Sequence, residues 1–193
     1  MTKIAIVTGT TRTGRNNRQV AEWVYNAAVA RGGAEFELVD IADYKLPLLG
    51  EELSAEEQEK ANANIAAFSA KMAEADGYVF ITAEYNHSPA PALTNALAYL
   101  RDEVSNKAAG LVGYGSAMGA RAVEHLRGIL SEFQIAHVQK QGMFSLFTDF
   151  EEFSTFKPTE MQAASVEPML EQTIAWTEAL IPVRQRALAT VNA

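Results

Sequence analysis

The sequence predicts an α/β fold with a doubly wound, five-stranded parallel sheet in the order 2-1-3-4-5 and helices on both faces. Apolar, β-branched runs alternate with helical patterns along the whole chain, as expected where crossover helices connect parallel strands. The first, third and fourth runs are almost continuously apolar, which is typical of central strands covered on both faces. No linker, internal repeat or low-complexity tract interrupts the pattern, so residues 1–193 are predicted to form one domain.

Five segments have the pattern of strands: residues 3–8, 35–41, 77–83, 107–114 and 136–145. In the predicted strand order the winding direction reverses between the first and third strands. Doubly wound sheets bind their ligands beyond the carboxyl ends of the strands at such a point. The loops that follow these strands are therefore candidate sites.

Apolar residues at helical spacing predict a helix in each connection and one more at the end of the chain. Ser54 and Glu57 have the spacing of a capping box at the start of the second helix. The last helix is predicted from about Val166 towards Ile181, and Pro182 is expected to end or kink it.

Composition and charge narrow the possible functions. A formal net charge of −8 argues against nucleic-acid binding, which needs a basic face. No apolar run approaches the roughly 18 to 20 residues of a membrane span, and the N-terminus reads as a strand, so a cytoplasmic protein without membrane contact is expected. The absence of cysteine excludes disulfides and thiol chemistry, and the three histidines lack metal-ligand spacing. No metal is expected, and a redox function would need a cofactor.

The segment GTTRTGRNNRQ, which follows the first strand, has the composition of an anion-binding loop. It leads into the first helix, whose N-terminus carries partial positive charge. Thr10 offers a hydroxyl, Arg12 and Arg15 can form paired hydrogen bonds with phosphate oxygens, and Asn17 is a secondary candidate. The glycine spacing fits neither a dinucleotide fingerprint nor a Walker A loop, so a terminal phosphate is predicted. The alternative is a threonine-rich helix start with solvated arginines.

The longer segment GTTRTGRNNRQVAEW resembles the phosphate loop of the NADPH-dependent FMN reductase family. This flavodoxin-like family also includes FMN-dependent azo, quinone and chromate reductases. Its loop usually has a form close to G-S-x-R, and here Thr10 replaces the serine and keeps the hydroxyl. The resemblance implies a flavodoxin-like, FMN-binding domain.

A second resemblance to this family lies in AEYNHSPAPALTNALAYL, after the third strand. The corresponding family segment usually begins P-E-Y-N and runs along the isoalloxazine ring of FMN. The residues that this resemblance assigns to the ring are Glu84, Tyr85, Asn86, His87 and Ser88. Ala83 departs from the usual proline, and Pro89 and Pro91 stiffen the loop. The alternative is a surface turn with a chance polar sequence.

The segment VGYGSAMGARAVEHLRGIL, after the fourth strand, resembles the glycine-rich third loop of the family. The resemblance places Gly115 and Ser116 against the flavin ring, and a plain glycine-rich helix start is the alternative. Ser116 also suggests the nucleophile elbow of a serine hydrolase. Tyr114 and Met118 occupy the positions where that elbow needs small residues, so this function is not predicted.

Five phenylalanines recur at every third position of FSLFTDFEEFSTF: Phe144, Phe147, Phe150, Phe153 and Phe156. Neither a regular α-helix nor a strand has this period, so an extended segment that packs over an edge is expected. The segment can belong to the core or to an oligomer interface. Members of the family resembled here are commonly dimers or tetramers, which favours the interface and implies a homodimer or homotetramer.

The three loops together imply an NAD(P)H-dependent oxidoreductase of the FMN, quinone or azo type. The resemblance implies FMN as cofactor, NADPH or NADH as co-substrate and a small molecule as electron acceptor, with hydride transfer through the flavin N5 and ping-pong kinetics. No side chain is predicted as a catalytic acid or base, because the chemistry belongs to the flavin. Two alternatives stay open: a non-enzymatic, flavodoxin-like electron carrier, and a scaffold that has lost the flavin.

Overall fold

The computed structural model describes the backbone of residues 1–191 and the side chains of residues 1–187. Within them the main strands are β1 (Lys3–Thr8), β2 (Glu35–Asp40), β3 (Gly77–Tyr85), β4 (Ser88–Pro89), β5 (Ala108–Gly115) and β6 (Ala136–Ser145). The parallel strands lie in the order β2-β1-β3-β5-β6, while β4 pairs antiparallel with the end of β3. The predicted five-strand order is confirmed, and β4 is an addition that the apolar pattern does not indicate.

The helices are α1 (Asn17–Arg31), α2 (Ala55–Glu74), α3 (Pro91–Ala98), α4 (Ala120–Glu132), α5 (Glu160–Ala163) and α6 (Val166–Val191). Successive side chains of a strand point to opposite faces, so the sheet divides the core in two. Apolar residues of α1 and α6 pack on one face, and those of α2, α3 and α4 pack on the other. Within the described residues, every helix falls short of the length and hydropathy needed to cross a membrane.

The predicted helix signals have different outcomes. The capping box at the start of α2 is present, with Ser54 and Glu57 each bonding the other's backbone N–H. Pro182, by contrast, does not end the last helix, because α6 continues through it to Val191. Pro182 is exposed, so water can bond the carbonyl that the missing N–H leaves free.

The phenylalanine segment folds back on itself, so the expectation of an extended segment is wrong. It comprises the end of β6, a turn, and a hairpin of β7 (Phe150–Glu151) and β8 (Thr155–Phe156). Phe144 is buried, and its ring packs edge-on against Trp23 at 5.7 Å and Phe156 at 4.9 Å. Phe150 is buried in the same cluster, whereas Phe147 and Phe153 are exposed. The turn reverses the chain, which brings alternate phenylalanines into the core.

Lys107 is buried at the amino end of the sheet and forms no ion pair with a carboxylate of residues 1–187. Its Nζ donates to the carbonyl oxygens of Met72 and Ala73, at 3.1 and 3.0 Å, and to the Tyr78 hydroxyl at 3.1 Å. The two carbonyls belong to the last turn of α2, where a positive charge stabilises the helix. Burial, followed by the positive charge of Arg184, lowers the pKa of the Lys107 amine to about 8.

The wild-type protein should become more stable as the pH rises from 8 to 10, and the change Lys107→Met should abolish this rise. An unfolded lysine has a pKa of about 10.4, so in this range the unfolded chain binds more protons than the folded one. The free energy of unfolding therefore rises with pH, by up to roughly 3 kcal/mol. Above this range it falls, because burial raises the pKa of Tyr78. Urea unfolding at several pH values measures the free energy of unfolding. If that free energy changes with pH equally in the variant and the wild type, the prediction is contradicted.

Candidate functional site

The loops after β1, β3 and β5 meet around a cavity of about 320 Å³ at the carboxyl edge of the sheet. The winding direction reverses here, between β1 and β3. The cavity is lined by Arg12, Asn16, Ala83, Glu84, Tyr85, Tyr114, Gly115, Leu146 and Phe153. Of the residues predicted from sequence, Arg12, Glu84, Tyr85 and Gly115 are thus brought together.

A single side chain fixes the loop between β1 and α1. Asn17 is fully buried: its Oδ1 accepts from the backbone N–H of Gly9 at 2.8 Å, and its Nδ2 donates to the carbonyl of Ile81 at 3.1 Å. Asn17 therefore joins the loop to β3 and does not line the cavity. Within the described part of the chain, the backbone N–H groups of residues 11–14 donate no hydrogen bond. The loop is anchored at its base while its N–H groups stay available to an anion.

Two of the three arginines in this loop and the first turn of α1 already have an anionic partner inside the protein. Asp40, at the end of β2, accepts from Arg15 at 2.6 Å and from Arg18 at 3.1 Å. The Thr8 hydroxyl donates to the other Asp40 oxygen at 2.8 Å. Burial alone would raise the pKa of Asp40, but the bonds from Thr8, from a backbone N–H and from the two arginines keep it below its ordinary value. The sequence pattern does not reveal this partner.

Arg12 differs from the other two arginines. No ion pair to Arg12 occurs among the described residues, and its guanidinium lies 6.0 Å from the centre of the Tyr85 ring. It is exposed and lines the cavity. The available positive charge at this edge of the sheet therefore belongs to Arg12.

Three buried polar atoms on the elements around the cavity have no hydrogen-bond partner among the described residues. They are Thr10 Oγ1, Arg15 Nε and Glu84 Oε2. An unpaired buried polar atom costs about 1–3 kcal/mol, so such atoms are normally satisfied by a ligand or by water. Glu84 lines the cavity and the other two residues belong to the anion loop, so the three atoms are candidates to bind a polar ligand with both donors and acceptors.

The wall opposite the anion loop is formed by the ends of β3 and β5. The Glu84 carboxylate is almost fully buried and forms an ion pair with Arg121, from the first turn of α4. A Cβ added to Gly115 would lie 3.0 Å from the Glu84 Cβ, so glycine keeps the two strand ends close. Tyr114 is buried and Tyr85 half-buried. Burial raises the pKa of Tyr114, so its hydroxyl stays protonated at neutral pH.

The other residues predicted from sequence lie outside the cavity lining. Asn86 and His87 form the turn between β3 and β4, both with positive φ, of 50° and 70°. Ser88 Oγ lies 2.9 Å from His125 Nδ1, and Ser116 is exposed at the end of β5. Thr10 and Arg15 belong to the anion loop but are not part of the cavity lining.

Five residues that line the cavity are not among the site residues predicted from sequence: Asn16, Ala83, Tyr114, Leu146 and Phe153. Tyr114 is the last residue of a predicted strand. Since the cavity lies where the strands end, this position could have identified Tyr114 as a lining residue. Phe153 belongs to the phenylalanine repeat. Its place at the cavity depends on the β7–β8 hairpin, which the sequence pattern did not predict.

Comparison with known proteins identifies relatives of this chain. A family model described as NADPH-dependent FMN reductase matches residues 2–149. An NAD(P)H-dependent FMN reductase of Schizosaccharomyces pombe is 31% identical over 139 residues, which is 66% of this chain and 66% of that protein, just under two thirds. A 2-hydroxy-1,4-benzoquinone reductase of a Burkholderia species is 31% identical over 149 residues, covering 74% of this chain and 77% of that protein.

The fold also has a solved counterpart. FerB of Paracoccus denitrificans, an NAD(P)H:(acceptor) oxidoreductase, superposes with a TM-score of 0.69 at 18% identity, over 93% of this chain and 98% of FerB. At 18% identity, this similarity shows that the two proteins share a fold. Since the family model covers well over half of the sequence, the chain belongs to the NADPH-dependent FMN reductase family.

Proposed function

We propose that this protein is an NAD(P)H-dependent FMN reductase that passes electrons to a small-molecule acceptor. The observation that supports this best is the cavity between an anion loop and the ends of β3 and β5. One side offers the Arg12 guanidinium, and the other offers aromatic rings and strand-end backbone. A ligand with an anionic tail and a flat, polar-edged ring matches both sides.

The residues present fit FMN. Arg12, Thr10 and Arg15 would hold the phosphate, because Arg12 has no ion-pair partner in the described part of the chain and the other two have unpaired buried atoms. Glu84, Tyr85 and Gly115 would lie along the ring, while Asn86, His87, Ser88 and Ser116 would border it from the neighbouring turns. Asn17 acts indirectly by holding the loop. When bound, FMN supplies the hydride chemistry.

The residues of the protein itself bind the flavin, orient it and shield it from water. The tyrosine rings and the Glu84–Arg121 ion pair form a rigid wall, which reduces water access from the sheet side. The nicotinamide and the acceptor then share the open side in turn. No side chain is assigned as a general acid or base.

The relatives guide the remaining proposals. The Burkholderia relative is named a benzoquinone reductase, and we propose quinones as one acceptor class here. We further propose that residues 1–193 act as one FMN-binding domain and that the protein is a cytoplasmic homodimer or homotetramer.

The test is to load the protein with FMN and add NADPH without oxygen, then to measure initial rates with a benzoquinone. We expect the visible absorbance of the bound flavin to disappear and the reciprocal-rate lines to be parallel. Persisting absorbance would indicate a protein that carries electrons without accepting hydride, and converging lines would exclude alternating occupancy.

A further inference from the structure

The hairpin of β7 and β8 places an aromatic ring at the mouth of the cavity. Phe153 lines the cavity yet is 60% exposed, whereas Tyr114 in the same lining is 4% exposed. The cavity therefore runs from a buried tyrosine to an exposed phenylalanine. Phe153 and Glu152 have positive φ values, 57° and 50°. A bulky residue in this region costs free energy and is found where surrounding contacts impose it.

Those contacts come from the anion loop and the first turn of α1. Asn16 Nδ2 donates to the carbonyl of Phe153 itself at 2.7 Å, and Gln19 Nε2 donates to the carbonyl of Ser154 at 2.8 Å. Gln19 Oε1 also accepts from the backbone N–H of Phe156 at 3.1 Å. Asn16 is the N-cap residue of α1, but its side chain forms no cap hydrogen bond. It fixes Phe153 relative to the loop that would hold the FMN phosphate.

Among the side chains that the structure describes, the ring of Phe153 has one aromatic neighbour. Phe147, 66% exposed, meets it edge-on at 5.9 Å. Phe144 and Phe150 of the same repeat are buried, and Phe156 is half-buried against them, so burial was available to this segment. Leaving an aromatic ring in water forfeits the free energy of its burial, and a flat apolar molecule in the cavity mouth would recover part of it.

We propose that Phe153 determines acceptor specificity by stacking with flat aromatic acceptors, of the quinone class, at the mouth of the cavity. This rests on the proposed reductase function. In the overall reaction the quinone gains two electrons and two protons, as one hydride from NAD(P)H and one proton from water, and leaves as hydroquinone. A compact acceptor has no extended face and gains nothing from the ring.

The first test is equilibrium binding without turnover. The oxidised, FMN-loaded protein is titrated with 1,4-naphthoquinone in a calorimeter, with no NAD(P)H present. Loss of one aromatic contact in Phe153→Leu should weaken the naphthoquinone Kd about five-fold, and Phe153→Trp should retain tight binding. Trp176→Leu is the control: it removes another exposed aromatic ring, one on α6 that does not line the cavity, and should bind like the wild type.

The second test compares two acceptors in steady-state turnover. For Phe153→Leu, kcat/KM should fall about five-fold with 1,4-naphthoquinone and stay unchanged with ferricyanide, a compact ion. The proposal is overturned if Phe153→Leu binds naphthoquinone as tightly as the wild type, or if kcat/KM falls equally with both acceptors. It is also overturned if the variant binds FMN more weakly by a similar factor, or if its sedimentation coefficient changes. Failure of NADPH to bleach the wild-type protein would instead refute the reductase function, and the calorimetric result would still be informative about stacking.

Discussion

Replacing Gly9 by alanine should destabilise the protein by about 2–5 kcal/mol and weaken FMN binding at least about tenfold. A Cβ at this position would lie 2.4 Å from the carbonyl oxygen of Ile81, well inside any tolerable contact. Ile81 belongs to β3, which β1 and β5 hold on both sides, so the loop must move instead. That movement would separate Asn17 from the Gly9 N–H and from the Ile81 carbonyl, leaving a buried amide unpaired.

Two other glycines provide controls for this variant. A Cβ on Gly128, in the middle of α4, meets nothing within 4 Å, so Gly128→Ala should stabilise by about 0.5–1 kcal/mol through helix propensity. Gly14 also has open space but a φ of 68°, so Gly14→Ala should cost about 1 kcal/mol. Urea unfolding and FMN titration give both quantities. A Gly9→Ala protein as stable as the wild type would show that the loop does not depend on this contact.

Much of the fold is predictable because it depends on local patterns. Continuous apolar runs locate the central strands, and the Ser54–Glu57 spacing locates the start of α2. Features that depend on tertiary contacts are not predictable in this way. The last helix can continue through Pro182 because that residue is exposed. The burial of Phe144 and Phe150, and the packing of Phe156 against them, depend on a chain reversal.

The same distinction applies to the site. The loops, their order and their meeting at the sheet edge follow from strand order, which the sequence predicts. The assignment of charges within the loop does not, since Asp40 is 25 residues from Arg15 in the sequence and reaches it only through the pairing of β1 with β2. The sequence alone therefore overestimates how many of these arginines are free to bind a ligand, because two of the three are paired with Asp40 in the fold. Phe153 and Asn16 enter the lining for a similar reason, through contacts between distant segments.

Replacing Arg12 by alanine should weaken FMN binding about 10- to 100-fold, because a charge-assisted bond to phosphate contributes about 1.5–3 kcal/mol. Arg15 would contact the phosphate through its unpaired Nε, but Asp40 already neutralises its charge, so it cannot supply the charge that Arg12→Ala removes. Arg18 is paired with Asp40 as well. Arg18→Ala is the matched control: it removes the same charge from the same stretch, and Arg15 still neutralises Asp40. FMN affinity in that variant should match the wild type.

The central claim is that the loop of residues 9–16 holds a flavin phosphate at this cavity, and one comparison tests it directly. FMN and riboflavin, which differ by the phosphate group, are each titrated into the wild type and into Arg12→Ala. We expect Arg12→Ala to lose affinity for FMN while its affinity for riboflavin equals that of the wild type. Equal losses for both ligands, or no loss for either, would contradict the claim, because Arg12 would then contact the ring or nothing at all.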